Sequence, residues 1–154
     1  MTSVEENLAA KGYTLPEPPD ALFNYVPYVI SGNLVFVAGQ VPIGGAREYK
    51  GKVGVDLSLE EGQEAAAQCA LNLLAQVKSA VGGDWSRVKR CVKLGGFVNS
   101  TSEYTDQSLV LNGASDLMVE ALGDAGRHAR FAVSAPSLPA GFAVEVDGVF
   151  EISA

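Results

Sequence analysis

Arg130 and Glu145 are the two residues of this chain whose types and spacing best suit chemistry on a small molecule. Arg130 opens an apolar stretch, and an arginine drawn toward apolar surroundings keeps its charge and needs an anionic partner. Residues 138–141, Leu-Pro-Ala-Gly, can connect two strands and bring the ends that contain Arg130 and Glu145 together. The pair then forms either a salt bridge or a site in which the guanidinium binds a substrate carboxylate and the glutamate positions a water. The residues alone leave both alternatives open.

Other kinds of site find little support in the sequence. The single histidine, His128, follows a glycine-rich helix stop, where it suits a surface cap better than a residue of a cleft, and Cys69 and Cys91 are distant from it along the chain. No pair of carboxylates has ligand spacing with His128, and the glycine motifs of phosphate, dinucleotide and serine-hydrolase sites are absent. We therefore expect no metal and no cofactor.

The composition favours one domain, residues 1–154, without a nucleic-acid or membrane partner. A chain of 154 residues with 47% hydrophobic and 19% charged residues suits a single core. Its net charge of −7 repels polyanions, and we interpret the basic residues between 87 and 93 as a solvated strand edge. Apolar runs are far shorter than the roughly 20 residues needed to cross a bilayer, and the first residues lack a secretory pattern. We expect a soluble cytoplasmic protein with reduced, buried cysteines.

The first half of the chain contains a helix, a hairpin and a long helix. Residues 1–24 form an N-terminal helix that ends at Gly12 and an extended, proline-rich lead-in. Residues 25–30 and 34–39 flank a Ser-Gly-Asn turn, so they form a hairpin whose strands we expect to be mostly buried. Ser58 and Glu61 make a capping box ahead of a helix of about 24 residues that ends at Gly82. The apolar stripe of this helix consists of Ala66, Ala70, Leu73, Leu74, Val77 and Val81.

The second half contains a strand, a helix and two further strands. Residues 85–100 alternate with period two, and Gly95-Gly96 suggests a bulge within that strand. Residues 105–122 form a helix whose inner face we assign to Leu109, Leu117, Met118 and Ala121. Strands follow at residues 129–135 and 142–152. This order predicts an α+β fold in which two helices pack on one face of a mixed sheet, and we expect self-association to cover the other, largely apolar face.

The C-terminal region resembles the signature of the RidA/YjgF family, the reactive-intermediate deaminases also known as endoribonuclease L-PSP. The resemblance covers residues 25–154. Its motifs are Arg130-x-Ala132-Val133, Leu138-Pro139, Val144-Glu145-Val146, Gly32-Asn33 with the strand that ends at Gly39-Gln40, and Asn112 in the second long helix.

This resemblance implies a chorismate-mutase-like α+β fold and a homotrimer with ligand clefts between subunits. It also implies hydrolysis of 2-imino acids, which form from enamines, to 2-keto acids and ammonia without a cofactor. By position, Arg130 would bind the substrate carboxylate and Glu145 would orient or activate the water, so these two are the candidate catalytic residues. Tyr25, Gly39 and Asn112 would line the cleft together with Arg130.

The chain departs from the family pattern at several positions, as a divergent subgroup would. Ala38 replaces a serine before Gly39, and Ala132 replaces a cysteine that many members have two residues after the arginine. These changes favour carboxylate binding over imine hydrolysis, so a non-catalytic trimer that senses a 2-keto acid is the alternative to a 2-imino acid hydrolase. Endoribonuclease activity is less favoured because the chain is acidic.

Overall fold

Three helices and five strands make up the part of the chain that the computed structural model describes, residues 3–154. The helices are α1 (Val4–Ala9), α2 (Leu59–Ala80) and α3 (Gln107–Leu122). The strands are β1 (Tyr28–Ser31), β2 (Leu34–Gln40), β3 (Val88–Asn99), β4 (Ala129–Ala135) and β5 (Val144–Ile152). Short 3-10 turns cover Trp85–Arg87, Gly123–Gly126 and Pro139–Gly141. None of the helices described is long and apolar enough to span a membrane.

The strands form one mixed sheet in the order β1-β2-β5-β3-β4. All neighbouring pairs are antiparallel except β3 and β4, which are parallel. Helices α2 and α3 pack together on one face of this sheet, which confirms the predicted α+β architecture. We call the face that they cover the helix face and the opposite one the open face.

Helix α2 forms where the sequence predicted it, because its signals are local. Ser58 accepts a hydrogen bond from the Glu61 amide while the Glu61 side chain accepts one from the Ser58 amide, which completes the capping box. All six residues of the predicted apolar stripe are buried in the core. On α3 the prediction was wrong at Leu109, which is 45% exposed, while Val110 and Leu111 point into the core.

Two further expectations about the sheet were wrong. The strands at residues 129–135 and 144–152 are not neighbours, because β3 lies between them. Gly95 and Gly96 also pair without interruption, and the register of β3 against β5 shifts instead between Val88 and Arg90 and between Cys91 and Lys93.

The two glycines of β3 are required by packing. A Cβ on Gly96 would lie 2.3 Å from the Leu111 side chain on the helix face, and one on Gly95 would lie 2.6 Å from the Phe131 ring on the open face. Glycine in a strand interior is as typical of close approach as of a bulge.

The hairpin of β1 and β2 forms as predicted, but β1 is mostly exposed. On the open face, five large apolar side chains remain between 37% and 53% exposed. They are Val29, Phe36, Phe97, Phe131 and Val133. This surface is the uncovered sheet face that the sequence predicted.

Candidate functional site

The Arg130 side chain crosses from the start of β4 to helix α3. Its Nη1 donates hydrogen bonds to Asn112 Oδ1 at 3.0 Å and to Ser115 Oγ at 3.0 Å, and its Nη2 donates to the Ser108 carbonyl at 3.2 Å. A guanidinium has five N–H donors, so Nε–H and one Nη2–H remain. No acidic side chain within residues 3–154 forms an ion pair with Arg130. The half-buried cation is therefore held by neutral oxygen atoms only.

Helix α3 presents Asn112 and Ser115 to Arg130 because residues three apart share one face of a helix. The intervening Gly113 lets α3 approach α2 closely. A Cβ at this position would lie 2.1 Å from the Gln63 carbonyl oxygen on α2. Contact between the two helix backbones thus fixes the height of Asn112 and Ser115 above the sheet.

His128 extends the same hydrogen-bond network. Its Nε2 lies 2.8 Å from Ser115 Oγ and its Nδ1 lies 2.6 Å from the Gly126 carbonyl oxygen. Because a carbonyl only accepts, Nδ1 holds the hydrogen, and neutral Nε2 accepts from the Ser115 hydroxyl. Burial lowers the pKa of His128, with a smaller contribution from the charge of Arg130, while the Gly126 hydrogen bond opposes this shift. His128 is half-buried, so the prediction of a surface cap was wrong.

We call Arg130, Asn112, Ser115 and His128 the arginine half-site. From the sequence, Ser115 was not considered for a site, and His128 was considered for the cleft but left outside it. Two regularities could have indicated them: Ser115 follows Asn112 by three residues on a helix, and His128 precedes Arg130 by two residues at the start of a strand.

Glu145 lies on β5, half-buried, beside the backbone of β2. A Cβ on Gly39 would lie 3.0 Å from Glu145 Cδ, so only glycine lets the carboxyl group rest there without displacement. Burial raises the pKa of Glu145, and the nearby charge of Asp147 raises it further. Among the residues that the structure describes, none donates a hydrogen bond to this carboxylate.

Tyr25 and Gly39 line one small cavity of about 70 Å³ at the end of β2. Tyr25 lies in a bend before β1, where the sequence had predicted strand, and it is 51% exposed. We call Glu145, Gly39 and Tyr25 the glutamate half-site.

The two half-sites lie on opposite faces of the sheet. Arg130 pairs with Leu94 on β3, which is fully buried under the helices, whereas Glu145 pairs with Phe97, which is exposed on the open face. Side chains directly opposite each other across a sheet share a face, and positions an odd number of residues apart on one strand do not. Within one chain the structure therefore does not bring Arg130 and Glu145 together, and it contains no salt bridge between them.

The basic residues between 87 and 93 take part in the fold at two positions. Arg87 donates to the carbonyl oxygens of Val81 and Ser153, and Arg90 donates to the Arg127 carbonyl oxygen at 2.7 Å. Within residues 3–154, no three His, Cys, Asp or Glu side chains are grouped so as to hold a metal ion. Cys69 and Cys91 are buried and free, as predicted.

Several known proteins are similar to this chain over nearly its whole length. The protein TCP17 of Trypanosoma cruzi is 47% identical over 97% of this chain and 94% of its own. The crystal structure of Atu1372 from Agrobacterium tumefaciens, a protein of unknown function, has a TM-score of 0.91 and 47% identity, and covers 97% of this chain and 92% of its own. E. coli TdcF, solved with bound serine, has a TM-score of 0.61 at 21% identity, covering 92% and 97%, and shows the same fold.

A family model connects these likenesses with the motifs of the sequence. The model described as "YjgF/chorismate mutase-like, putative endoribonuclease" matches residues 5–148, which include both half-sites. The sheet with its two long helices is the architecture of this family, as the similarity to the E. coli YjgF protein, with a TM-score of 0.61, also indicates. The chain belongs to the YjgF/chorismate mutase-like family.

Proposed function

We propose that the protein binds small 2-oxo and 2-imino carboxylates and hydrolyses the imino acids to 2-keto acids and ammonia. The observation on which this rests is the arginine half-site. Arg130 is fixed in place by three neutral acceptors, lacks a carboxylate partner among the described residues, and retains two N–H donors. A half-buried guanidinium without an anionic partner favours an anionic ligand, and its planar arrangement of N–H donors suits a carboxylate.

We propose further that the site forms between two copies of the chain in a homotrimer. Arg130 and Glu145 cannot meet within one chain because they lie on opposite faces of the sheet. The apolar open face around Glu145 supports association, since exposed apolar sheet surfaces typically mark interfaces. Arg130 of one copy would then act with Glu145, Gly39 and Tyr25 of a neighbouring copy, in a cleft at the subunit boundary.

The chemistry needs only positioned groups of the chain. Arg130 holds the substrate carboxylate, and the Glu145 carboxylate accepts a proton from a water as that water attacks the imine carbon. Glu145 returns this proton to nitrogen, and as the C–N bond breaks the new hydroxyl group gives its proton to the leaving nitrogen, so that ammonia leaves and the 2-keto acid remains. A 2-imino acid already hydrolyses in water, so alignment of water and substrate supplies most of the acceleration required.

An oxidase-coupled assay tests this proposal. An L-amino acid oxidase generates the 2-imino acid in the cuvette, and the imine concentration is followed with and without the purified protein. We expect faster disappearance of the imine with wild-type protein and a rate close to buffer with Glu145→Gln. Equal imine lifetimes with and without wild-type protein for all the amino acids tried would contradict the catalytic part of the proposal.

A binding protein without turnover is the second candidate, and two residues favour it. Ala38 and Ala132 offer no polar side chain at positions where the family resemblance led us to expect a serine and a cysteine. Serine bound to TdcF supports a small carboxylate as the ligand class. This candidate predicts that pyruvate raises the thermal midpoint of the wild-type protein while imine hydrolysis remains at the buffer rate.

The family description also names an endoribonuclease. The net charge of −7 works against RNA binding, and the one histidine is engaged in the arginine half-site. We therefore do not propose RNA as the substrate. Ribonuclease activity that persists equally in Arg130→Ala would indicate a contaminant.

A further inference from the structure

Arg130, Ser115 and His128 of the arginine half-site, together with the Gly126 carbonyl, form a series of hydrogen bonds that run in one direction. Arg130 Nη1 donates to Ser115 Oγ, the Ser115 hydroxyl donates to His128 Nε2, and His128 Nδ1 donates to the Gly126 carbonyl. The last group in this series, the Gly126 carbonyl, can only accept a hydrogen bond, so the direction of the other bonds is fixed while the imidazole is neutral. The orientation of the Ser115 hydroxyl, and thus of the lone pair offered to Arg130, is therefore set by the imidazole.

We propose that His128 is a positioning residue: through Ser115 it fixes the plane of the Arg130 guanidinium, and it couples carboxylate binding to uptake of a proton by the imidazole. This inference rests on the proposed function, because it concerns the same carboxylate site. It assigns a role to a histidine that neither contacts the carboxylate nor belongs to the motifs of the family resemblance.

The position of His128 favours such coupling. His128 and Arg130 meet at the same hydroxyl oxygen, since both contact Ser115 Oγ, at 2.8 and 3.0 Å. Two cations at this separation would repel each other, so the charge of Arg130 adds to the effect of burial in favouring the neutral imidazole while Arg130 lacks an anion. A carboxylate on Arg130 offsets its charge, so the protonated imidazole becomes less unfavourable in the complex. The added proton lies on Nε2, which then donates to Ser115 Oγ, and this oxygen can accept from Nε2 and from Arg130 at the same time.

Other charged side chains near His128 also belong to the surroundings in which its protonation is coupled to carboxylate binding. Residues of α3, of the turn before β4 and of β4 line an open cavity of about 330 Å³ next to the imidazole. The charged side chains that line it are Asp116 on α3, Arg127 before β4, and Arg130 itself. Arg127 pairs with Asp124, and Arg90 on β3 donates to the Arg127 carbonyl. Only Arg130 shares a hydrogen-bond partner with His128.

Linkage gives the sign of the pH dependence. If an anion makes protonation of His128 easier, protonation of His128 makes anion binding tighter by the same factor. Pyruvate affinity should therefore increase as the pH falls through the range in which the imidazole titrates. Pyruvate itself stays ionised across this range, so its own titration does not interfere.

The chain has a single histidine, which makes a direct measurement possible. In protein without a histidine tag, the imidazole C–H proton signals of His128 are followed by NMR from pH 5 to 8, with and without saturating pyruvate. We expect the pKa of His128 to increase on addition of pyruvate. In Arg130→Gln the pKa of the free protein should already be raised, because a cation is removed, and pyruvate should have no further effect.

Binding measurements separate the effect of the His128–Ser115 hydrogen bond on pyruvate affinity from the effect of the imidazole charge. Loss of the Ser115 contact in His128→Ala should weaken pyruvate binding about tenfold at pH 8, as expected for a hydrogen bond that orients a charged group. His128→Gln can still bond Ser115 and should stay within about twofold of the wild type at pH 8, but its affinity should no longer depend on pH. Lys89→Gln, an exposed cation on β3 with no side-chain contact described, serves as the control and should behave like the wild type.

The possible results distinguish this inference from the proposed function. If neither pyruvate nor L-serine gives saturable binding to the wild type, both fail. If pyruvate binds saturably but leaves the His128 signal unchanged, or if His128→Ala retains wild-type affinity, this inference is overturned and the carboxylate site remains. Each variant is compared only after its thermal midpoint shows that it is folded.

Discussion

The arginine and glutamate half-sites hold their charged groups in different ways. Arg130 is held by the three hydrogen bonds that it donates to helix α3 and, through Ser115, by His128, so its orientation is fixed before any ligand arrives. Glu145 has no hydrogen-bond donor among the described residues and is positioned by burial against the backbone at Gly39. The comparison indicates that one half is ready to bind an anion, while the other needs a water or a partner subunit to be complete.

An added methyl group should lower the free energy of unfolding more at Gly113, which positions the arginine half-site, than at Gly39 in the glutamate half-site. Gly113→Ala would place a Cβ 2.1 Å from a backbone oxygen of α2, so α3 must move, at a cost of about 3 kcal/mol in unfolding free energy. Gly39→Ala would meet the Glu145 side chain at 3.0 Å, which can rotate away, and should cost about 1 kcal/mol. Urea denaturation at a fixed protein concentration measures both.

The same two variants should separate binding from catalysis. Gly113→Ala displaces Asn112 and Ser115, so pyruvate binding should weaken, whereas Gly39→Ala displaces only the glutamate and should lower imine turnover with little change in pyruvate affinity. Equal losses of stability in the two variants would show that the helix contact is no more rigid than the side-chain contact.

Removal of the cation should weaken ligand binding strongly without a comparable loss of stability. Arg130→Gln keeps a polar side chain near Asn112 but offers no positive charge, so pyruvate affinity should fall about 100-fold. Isothermal titration calorimetry measures the change, with Lys89→Gln as the control for net charge. Wild-type affinity in Arg130→Gln would exclude the arginine half-site as the carboxylate site.

Mixed oligomers test whether the half-sites come from different copies. Arg130→Gln and Glu145→Gln proteins should each be inactive alone, but random mixing of equal amounts, after dissociation and reassembly, pairs an intact arginine with an intact glutamate at about a quarter of the interfaces. Imine turnover should then recover to about a quarter of the wild-type value. Recovery absent from a mixture that has demonstrably exchanged subunits would contradict a shared site.

The smallest effect concerns the pH dependence of stability at the glutamate half-site. Burial and Asp147 raise the folded-state pKa of Glu145 above its ordinary value of 4.5, so the folded state binds this proton more tightly than the unfolded state. The contribution of this proton to the free energy of unfolding is fully present below the ordinary pKa, and it is lost as the pH rises through the raised pKa of the folded state. Glu145→Gln should thus be more stable than wild type at pH 7, and this gain in stability should disappear at pH 4.

Urea denaturation at the two pH values measures this difference. Glu17→Gln, which changes an exposed acid, is the matched control and should have the same effect at both. A Glu145→Gln protein that is less stable than wild type at pH 7 would mean that the carboxylate has a favourable partner in the assembled protein.

Much of the fold could be predicted because its signals are local. The capping box and apolar stripe of α2 lie within one turn or one face of a helix, and the alternation of β5 identifies Glu145 as facing away from the core. Strand β4 has the predicted bounds. The family motifs are likewise short runs of sequence, and the family assignment drawn from them is confirmed.

The errors arose where distant residues determine a local feature. Gly95-Gly96 suggested a bulge, but their lack of side chains serves Leu111 and Phe131, which come from other elements. His128 suggested a surface cap, because nothing near it in sequence indicates that Ser115 on α3 lies within hydrogen-bond distance. Periodicity cannot assign such contacts, since it describes one element at a time.

The sequence by itself determined the elements, the covered and uncovered faces of the sheet, and the residue types of the candidate site. Only the tertiary structure decided that β3 separates β4 from β5, and that the registers of β4 and β5 against β3 place Arg130 and Glu145 on opposite faces, without a salt bridge. The physical reason is that strand order depends on the crossover through α3, which allows β4 to pair in parallel with β3 at the sheet edge. A two-residue alternation divides the side chains of one strand between two faces, but it contains no information about which strand lies beside which or in what register.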